Sequence, residues 1–435
     1  MSDYIKVWDK TIIFAIVKER VKNLQETKVV IVGGGFGGVR TALNLAKINL
    51  PGAKIILVSN KPHFEYHAAL YRVVTGKSPL EVCIPLNEIF ENKNVEVVED
   101  KIVKVDLTRK VLFGESGSKY KFNFLVAALG SETAYFDIPG LKEYSFGFKS
   151  ITEALRLKNH LHEVFASCEK APKEEKVCLV HVVVVGAGSS GTELAGELAL
   201  YTKEMAKNHN IDPSLVTVDL IEVAPRILPS LPEKVSKKVD KHLRSLGVNI
   251  FVNRAILKEE IKQVYLHDIE MKVKTVIWTA GVKPNNLYRE VKGLEFDSKG
   301  RVLVDEYLQA KGQQGVFVIG DAASTLYSGT AQTAISDGKI VGENIYRLIK
   351  GKHLVKNTPK KPVTAIPVGT GWAAVVIGLV ELYGSLGWSL RRLADFRFFL
   401  TILPFKKALL AFQDGKTICE TCSICLPETE VKAVI

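Results

Sequence analysis

The sequence predicts an α/β chain with two Rossmann-like dinucleotide-binding domains and a C-terminal region of strands and amphipathic helices. Three observations carry this. Gly33-Gly-Gly-Phe-Gly-Gly38 stands between a short apolar run and a stretch of helical periodicity. Gly186-Ala-Gly-Ser-Ser-Gly191 repeats the arrangement about 150 residues later, and beyond Lys360 the strand–turn–helix pattern ends. Length and composition agree: 435 residues suit two or three domains of roughly 150 residues each. With 47% hydrophobic and 24% charged residues the chain is neither disordered nor fibrous. Six cysteines, three of them in the last 17 residues, exclude a disulfide-rich secreted fold. The net charge of +12 at pH 7 favours anionic partners without choosing among phosphates, lipids and nucleic acid.

At the N-terminus, the apolar run Thr11 to Val17 is short, flanked by charges and without a small-residue cleavage site, so no signal peptide is expected. Ile5, Trp8, Ile12 and Ile16, with lysines between them, make residues 1–27 an amphipathic extension. The first nucleotide-binding unit then opens with Val29–Val32 as a strand, the glycine turn, a helix from Val39 to Asn49, and a second strand at Lys54–Val58. Gly33 allows the tight turn, Gly35 lets backbone approach a pyrophosphate, and Gly38 permits close helix–strand packing. The helix N-terminus, entered at Phe36 and Gly37, offers its positive end to phosphate. Where an acid usually follows the second strand, Ser59, Asn60 and Lys61 stand instead.

In the second unit His181–Val185 is the strand, Gly186 to Gly191 the turn, Thr192 to Lys207 the helix, and Val216–Ile221 the next strand, ending at Glu222. Gly186, Gly188, Ser189, Ser190 and Gly191 are the phosphate-side candidates. An acid in the position of Glu222 accepts hydrogen bonds from an adenosine ribose and repels a 2′-phosphate, which favours NAD over NADP. Arg226, four residues on, argues the other way.

A third cluster, Gly315-Val-Phe-Val-Ile-Gly-Asp321, is a buried strand ending in an acid, and it lies far from the first turn in sequence. Val316 to Ala322 resembles the second flavin motif of the two-dinucleotide-domain flavoproteins, in which the aspartate bonds the ribityl chain of FAD. Leu125 to Gly130 and Val276 to Gly281 resemble the strand-to-glycine segments of that family. The resemblance implies a glutathione-reductase-like architecture, with a discontinuous FAD-binding domain at 28–138 and 284–355, an NADH-binding domain at 139–283, and a C-terminal region at 356–435. It adds Val103, Ala128, Gly130, Gly320, Asp321, Ala331 and Gln332 to the flavin side, and Ala280 and Gly281 to the nicotinamide side.

No CxxxxC or CxxC pair lies where disulfide reductases carry one; Cys83, Cys168 and Cys178 are isolated, and Ala68 stands where a single coenzyme-A-disulfide-type cysteine is expected. Cys168 to Lys176, rich in lysine and glutamate, reads as a solvated connection. His63 to Gly76, Gly191-Thr-Glu-Leu-Ala-Gly-Glu-Leu198, Pro225-Arg-Ile-Leu-Pro and Trp278-Thr-Ala-Gly-Val-Lys-Pro-Asn resemble segments of the type II NADH:quinone oxidoreductases, over roughly Lys28 to Lys350. Ala331-Gln-Thr-Ala-Ile-Ser336 is similar to that family's AQxAxQ quinone motif, except that Ser336 replaces the second glutamine. Sulfide:quinone oxidoreductases share the architecture and are the rival within it. A flavoprotein whose NADH-reduced state serves sensing or partner binding is the alternative outside quinone chemistry.

The resemblance implies hydride transfer from NADH to flavin N5, then two-electron transfer to a membrane quinone without proton pumping. Glu193, Gln332 and Ser336 become the catalytic candidates: Glu193 for electrostatics or proton handling, the other two beside the acceptor. No metal is implied.

Val363 to Tyr383 reads as strands, and Gly369 to Leu390 as bent strands rather than a membrane span. Gly387 to Phe412 mixes aromatic and aliphatic residues with Arg391, Arg392, Arg397, Lys406 and Lys407, which suits helices at a membrane surface, or a dimer face, with a break at Pro404. A peripheral protein on the cytoplasmic face of a membrane is expected, with no nucleic-acid partner. Cys419, Cys422 and Cys425 form a terminal cysteine-rich tail with no counterpart in the family pattern.

Overall fold

The computed structural model describes residues 26–417. The amphipathic N-terminal extension and the cysteine tail lie outside the described residues. The principal helices, in chain order, are α1 (Phe36–Ile48), α2 (Leu70–Val74), α3 (Ile151–Lys170), α4 (Lys173–Leu179), α5 (Ser189–Asn208), α6 (Glu233–Leu246), α7 (Ala331–Ile349), α8 (Gly384–Phe399) and α9 (Phe405–Asp414). The chain divides into two compact units. The first takes residues up to 61, 90–129 and 286–358; the second takes 62–89, 130–285 and those from 359 on.

The first unit is built on a five-stranded parallel sheet. Its strands run in the order Val316–Val318, Phe124–Ala127, Thr27–Val32, Ala53–Ser59, Glu96–Glu99. Val29, Val30 and Ile31 are fully buried, as expected of a central parallel strand covered on both faces. α7 lies against α1 through small residues one turn apart. A Cβ on Gly338 would sit 2.6 Å from the Gly37 carbonyl oxygen, and one on Gly342 would meet Asn44. The Thr330 hydroxyl starts α7 by accepting the Thr333 N–H at 3.1 Å.

The second unit repeats the plan with a parallel sheet ordered Phe146–Gly147, Thr275–Trp278, His181–Val185, Thr217–Ile221, Val248–Phe251. Its last segment adds an antiparallel sheet of Thr364–Pro367, Ala373–Ile377 and Val380–Leu382, followed by α8 and α9. Pro404 is the N-cap of α9 and separates the two helices, as its missing N–H requires.

Three expectations change here. The strand reading of Gly369 to Leu390 holds only to Leu382, because α8 begins at Gly384; Gly387 lets α8 sit against the sheet, a Cβ there being 2.3 Å from the Ala373 oxygen. Between Cys168 and Lys176, Glu169, Lys170, Pro172 and Glu175 are exposed, as a solvated connection requires, but Cys168 itself is buried. The stretch joins the end of α3 to α4, and Cys168, in register with buried Leu157, Leu161, Val164 and Phe165, faces the core. Glu169 and Lys170, next to Cys168 on the same helix, are exposed on the solvated side of this amphipathic element. Arg391 and Arg392 do not reach toward a headgroup layer: they are 6% and 7% exposed, ion-paired inside the second unit. Among the described residues no helix is long and apolar enough to cross a membrane.

Candidate functional site

Both glycine turns stand at the carboxyl edge of a parallel sheet, where such sheets bind ligands. In the first unit, Gly33 has φ +113° and would place a Cβ 2.3 Å from the Ala128 oxygen. A Cβ on Gly38 would lie 1.9 Å from the Gly33 oxygen, whereas one on Gly35 would meet nothing within 4 Å. Two glycines thus close the turn on itself, and the middle one leaves a cradle open to a pyrophosphate. Ser59 ends the neighbouring strand; its hydroxyl donates to the Lys61 carbonyl at 2.8 Å and accepts the Lys61 N–H at 3.2 Å, with Asn60 exposed beside it.

Ala128 and Gly320 follow strands of the same sheet and reach the same edge. Gly320, at φ +72°, donates its N–H to Asp337 at 3.2 Å and so fixes the turn that carries half-buried Asp321. Burial pushes the Asp337 carboxyl up to about 6, against the pull of the Gly320 N–H and Asn357. Ala331 opens α7, and Gln332 and Ser336 stand one turn apart on its exposed side. Val103 comes four residues after the strand Glu96–Glu99 of this sheet, on the strand Ile102–Asp106 of an antiparallel sheet, 40% exposed.

The second unit repeats the geometry closely. Gly186 has φ +100° and would place a Cβ 2.5 Å from Ala280 Cα; a Cβ on Gly191 would lie 1.9 Å from the Gly186 oxygen; one on Gly188 would meet nothing within 4 Å. Ser189 and Ser190 are exposed in the first turn of α5. Glu222 braces the turn: its Oε2 accepts the Ala187 N–H at 2.7 Å, and its Oε1 accepts the Ala224 N–H at 2.9 Å. Arg226 spends its guanidinium on the carbonyls of Leu228, Pro229 and Leu231 at 3.0, 2.7 and 2.8 Å. Gly281 follows the strand Thr275–Trp278, and a Cβ there would run into the Phe136 ring. Gly130 precedes the strand Ser131–Thr133, with its carbonyl taken by the Asn285 N–H at 3.2 Å.

Glu193 lies two residues past this turn on α5. Burial pushes its carboxyl up to about 8; Arg391 and Arg72 pull it down, and Glu197, one turn along, pushes it further up. A carboxyl held near neutrality in this way gives and takes a proton at working pH. Arg72 beside Glu193, the Glu81 and Asp395 carboxylates that pair with Arg392 and Arg391, and Asp337 in the first unit were not visible as site residues in the sequence. Arg391-Arg-x-x-Asp395, two cations three and four residues before an acid on one helix, was the available sign.

The family model described as pyridine nucleotide-disulphide oxidoreductase matches residues 27–338. A protein of Staphylococcus saprophyticus named type II NADH:quinone oxidoreductase is 27% identical over 403 residues, covering 89% of this chain and 98% of its own. Among solved structures, NDH2 from Plasmodium falciparum in complex with NADH aligns with a TM-score of 0.81 at 17% identity, over 90% of this chain and 98% of that one. The sulfide:quinone oxidoreductase of Aquifex aeolicus aligns with a TM-score of 0.70 at 19% identity, over 89% and 92%. At these identities the two structures speak for the fold.

Proposed function

The chain belongs to the pyridine nucleotide-disulphide oxidoreductase family, and on that premise we propose that it oxidises NADH through a bound FAD and passes two electrons to a quinone. Relatives that cover 75% to 89% of this chain carry the type II NADH:quinone oxidoreductase name. The observation that carries the reading is the pair of glycine turns, each closed by its outer glycines and open at its middle one. One chain therefore offers two pyrophosphate cradles. The cysteines argue in the same direction: Cys83, Cys168 and Cys178 form no disulfide and stand on separate elements.

FAD fits the first unit, with Gly33–Gly38 at the pyrophosphate, Ser59–Lys61 toward the adenosine ribose, and Gly320–Asp321 toward the ribityl chain. When bound it supplies the two-electron chemistry. The second unit holds NADH, its pyrophosphate at Gly186–Gly191 and its ribose toward Glu222. NAD is preferred over NADP: Glu222 presents a carboxylate where a 2′-phosphate would sit, and the Arg226 guanidinium is committed to three carbonyls. Glu193 handles a proton. Gln332 and Ser336 present an amide and a hydroxyl for a quinone carbonyl.

The acceptor is a membrane quinone, reached by peripheral attachment on the cytoplasmic face, where NADH is available. Leu386 and Leu393 on α8, Leu400 just beyond it, and Phe405 and Leu410 on α9 are 58%, 60%, 41%, 62% and 60% exposed, with exposed Arg397 and Lys406 among them. Apolar side chains interspersed with cations suit an anionic bilayer surface; a homodimer would be the other use of this face. Steady-state NADH oxidation by the flavin-loaded protein, with a soluble quinone analogue, tests the activity. Saturable turnover that requires quinone is expected; NADH-dependent dimerisation with negligible turnover would favour a sensor and overturn it.

A further inference from the structure

The second unit contains a cluster of charges that neither dinucleotide needs. α8 carries Arg391, Arg392 and Asp395 inward, with Asp395 fully buried, to meet Arg72 on α2 and Glu81. Arg72 Nη1 donates to both Glu81 oxygens at 2.6 and 2.7 Å, and its Nη2 donates to Asp395 at 3.2 Å. Arg392 Nη1 donates to Glu81 at 2.7 Å and to Asp395 at 3.2 Å. Arg391 pairs with Asp395 and donates to the Ala68 carbonyl at 2.9 Å. The Tyr66 hydroxyl donates to Asp395 at 2.6 Å. α9 is tied in as well, since Arg392 donates to the Phe412 carbonyl at 3.2 Å and lies over that ring.

Such a cluster is a poor device for stability alone, because apolar residues of similar volume often do as well. Its count is more informative. Three guanidiniums face two carboxylates, which leaves one surplus positive charge in a low-dielectric interior. The charged and titratable groups that face Glu193 are Arg391 from α8, Arg72 and Tyr71 from α2, and Glu197 from its own helix. α2 packs directly on α5.

We propose that Arg391 and Asp395 are positioning residues for Glu193: α8 inserts the charges that set how readily this carboxyl ionises, so that seating the C-terminal helices governs its proton. The inference rests on reading Glu193 as a proton-handling group. The balance supports a role for one. NADH gives a hydride, which is two electrons and one proton, whereas quinone becomes quinol by gaining two electrons and two protons. The second proton leaves the Glu193 carboxyl as its O–H bond breaks, and water carries it to the quinone oxygen, where the quinol O–H bond forms. The carboxylate left behind lies in the field of the surplus charge until solvent reprotonates it.

Infrared titration of the protonated carboxyl band in the flavin-loaded full chain tests this, with Glu193→Gln identifying the band. Arg391→Gln removes the surplus charge and should raise the midpoint by about one pH unit; Asp395→Asn doubles the surplus and should lower it by about as much. Arg391→Lys keeps the charge but not the reach to Ala68, so its midpoint should fall between those of Arg391→Gln and the wild type. Bound-flavin absorbance reports folding. If only Arg391→Lys folds, its raised midpoint still supports the proposal and an unchanged one overturns it. Midpoints that stay put, or that move the same way in Arg391→Gln and Asp395→Asn, overturn it too. A band that survives in Glu193→Gln instead removes the reading of Glu193 on which the proposal rests.

Discussion

Replacing Gly188 or Gly191 with alanine separates ligand binding from folding within one turn. Gly191→Ala places a methyl 1.9 Å from the Gly186 oxygen and 2.5 Å from Thr279 Oγ1, where favourable carbon contacts begin at roughly 3.5 Å. The nearest obstruction is backbone, so the helix must retreat by more than an ångström. Overpacking of this kind costs about 1–3 kcal/mol or more, and Tm should fall by roughly 5–10 °C. Gly188→Ala meets nothing within 4 Å, and its φ of −71° suits alanine. As the N-cap of α5 it should lose less than about 1 kcal/mol. Yet its methyl projects into the cradle, and the apparent Kd for NADH should rise at least tenfold, about 1.4 kcal/mol. Anaerobic flavin reduction at varied NADH gives the Kd, and thermal melts give the stability. Gly188→Ala with wild-type NADH affinity, or Gly191→Ala with wild-type Tm, would refute the assignment of the turn.

Glu259 is 5% exposed, and its Oε2 has no hydrogen-bond partner among the described residues; burial pushes its carboxyl from the ordinary 4.5 up to about 8. The folded chain therefore keeps a proton that the unfolded chain releases, and stability falls as pH rises between those values. Glu259→Gln should flatten this slope and stabilise the protein at pH 7 by on the order of 3 kcal/mol, read by denaturant melts across pH. His181 shows the opposite arrangement. Burial disfavours its charge, but Asp219 at 2.8 Å and the Lys272 carbonyl outweigh that and raise its pKa. Its contribution is fully present below the unfolded value near 6.5 and is lost as pH rises through the raised one; His181→Gln should remove that loss from the melt-versus-pH curve. The proposed placement of Glu222 toward the ribose predicts that kcat/KM favours NADH over NADPH by at least about tenfold, roughly 1.4 kcal/mol, in parallel initial-rate assays.

The sheets and turns were legible because local sequence determines them. Gly33, Gly38, Gly186 and Gly191 sit where no side chain fits, and Val29–Val32 and Val182–Val185 are buried apolar runs. What escaped the sequence depends on residues distant along the chain. Glu81 meets Arg392 across 311 positions, and Arg72 meets Asp395 across 323, so Arg391 and Arg392 looked like surface cations. Cys168 was missed for a different reason. Its helix ends among lysines and glutamates, and their solvated side hid the apolar one. Arg226 looked free to meet a phosphate because carbonyl acceptors leave no mark on a sequence.

The most direct test reduces the flavin-loaded protein with NADH in the absence of oxygen, then adds a soluble quinone analogue while flavin absorbance is followed. Full reoxidation within the mixing time, with one quinol formed per flavin, is the expected result. A flavin that stays reduced in the presence of excess quinone would contradict quinone as the acceptor, whatever the fold shares with its relatives.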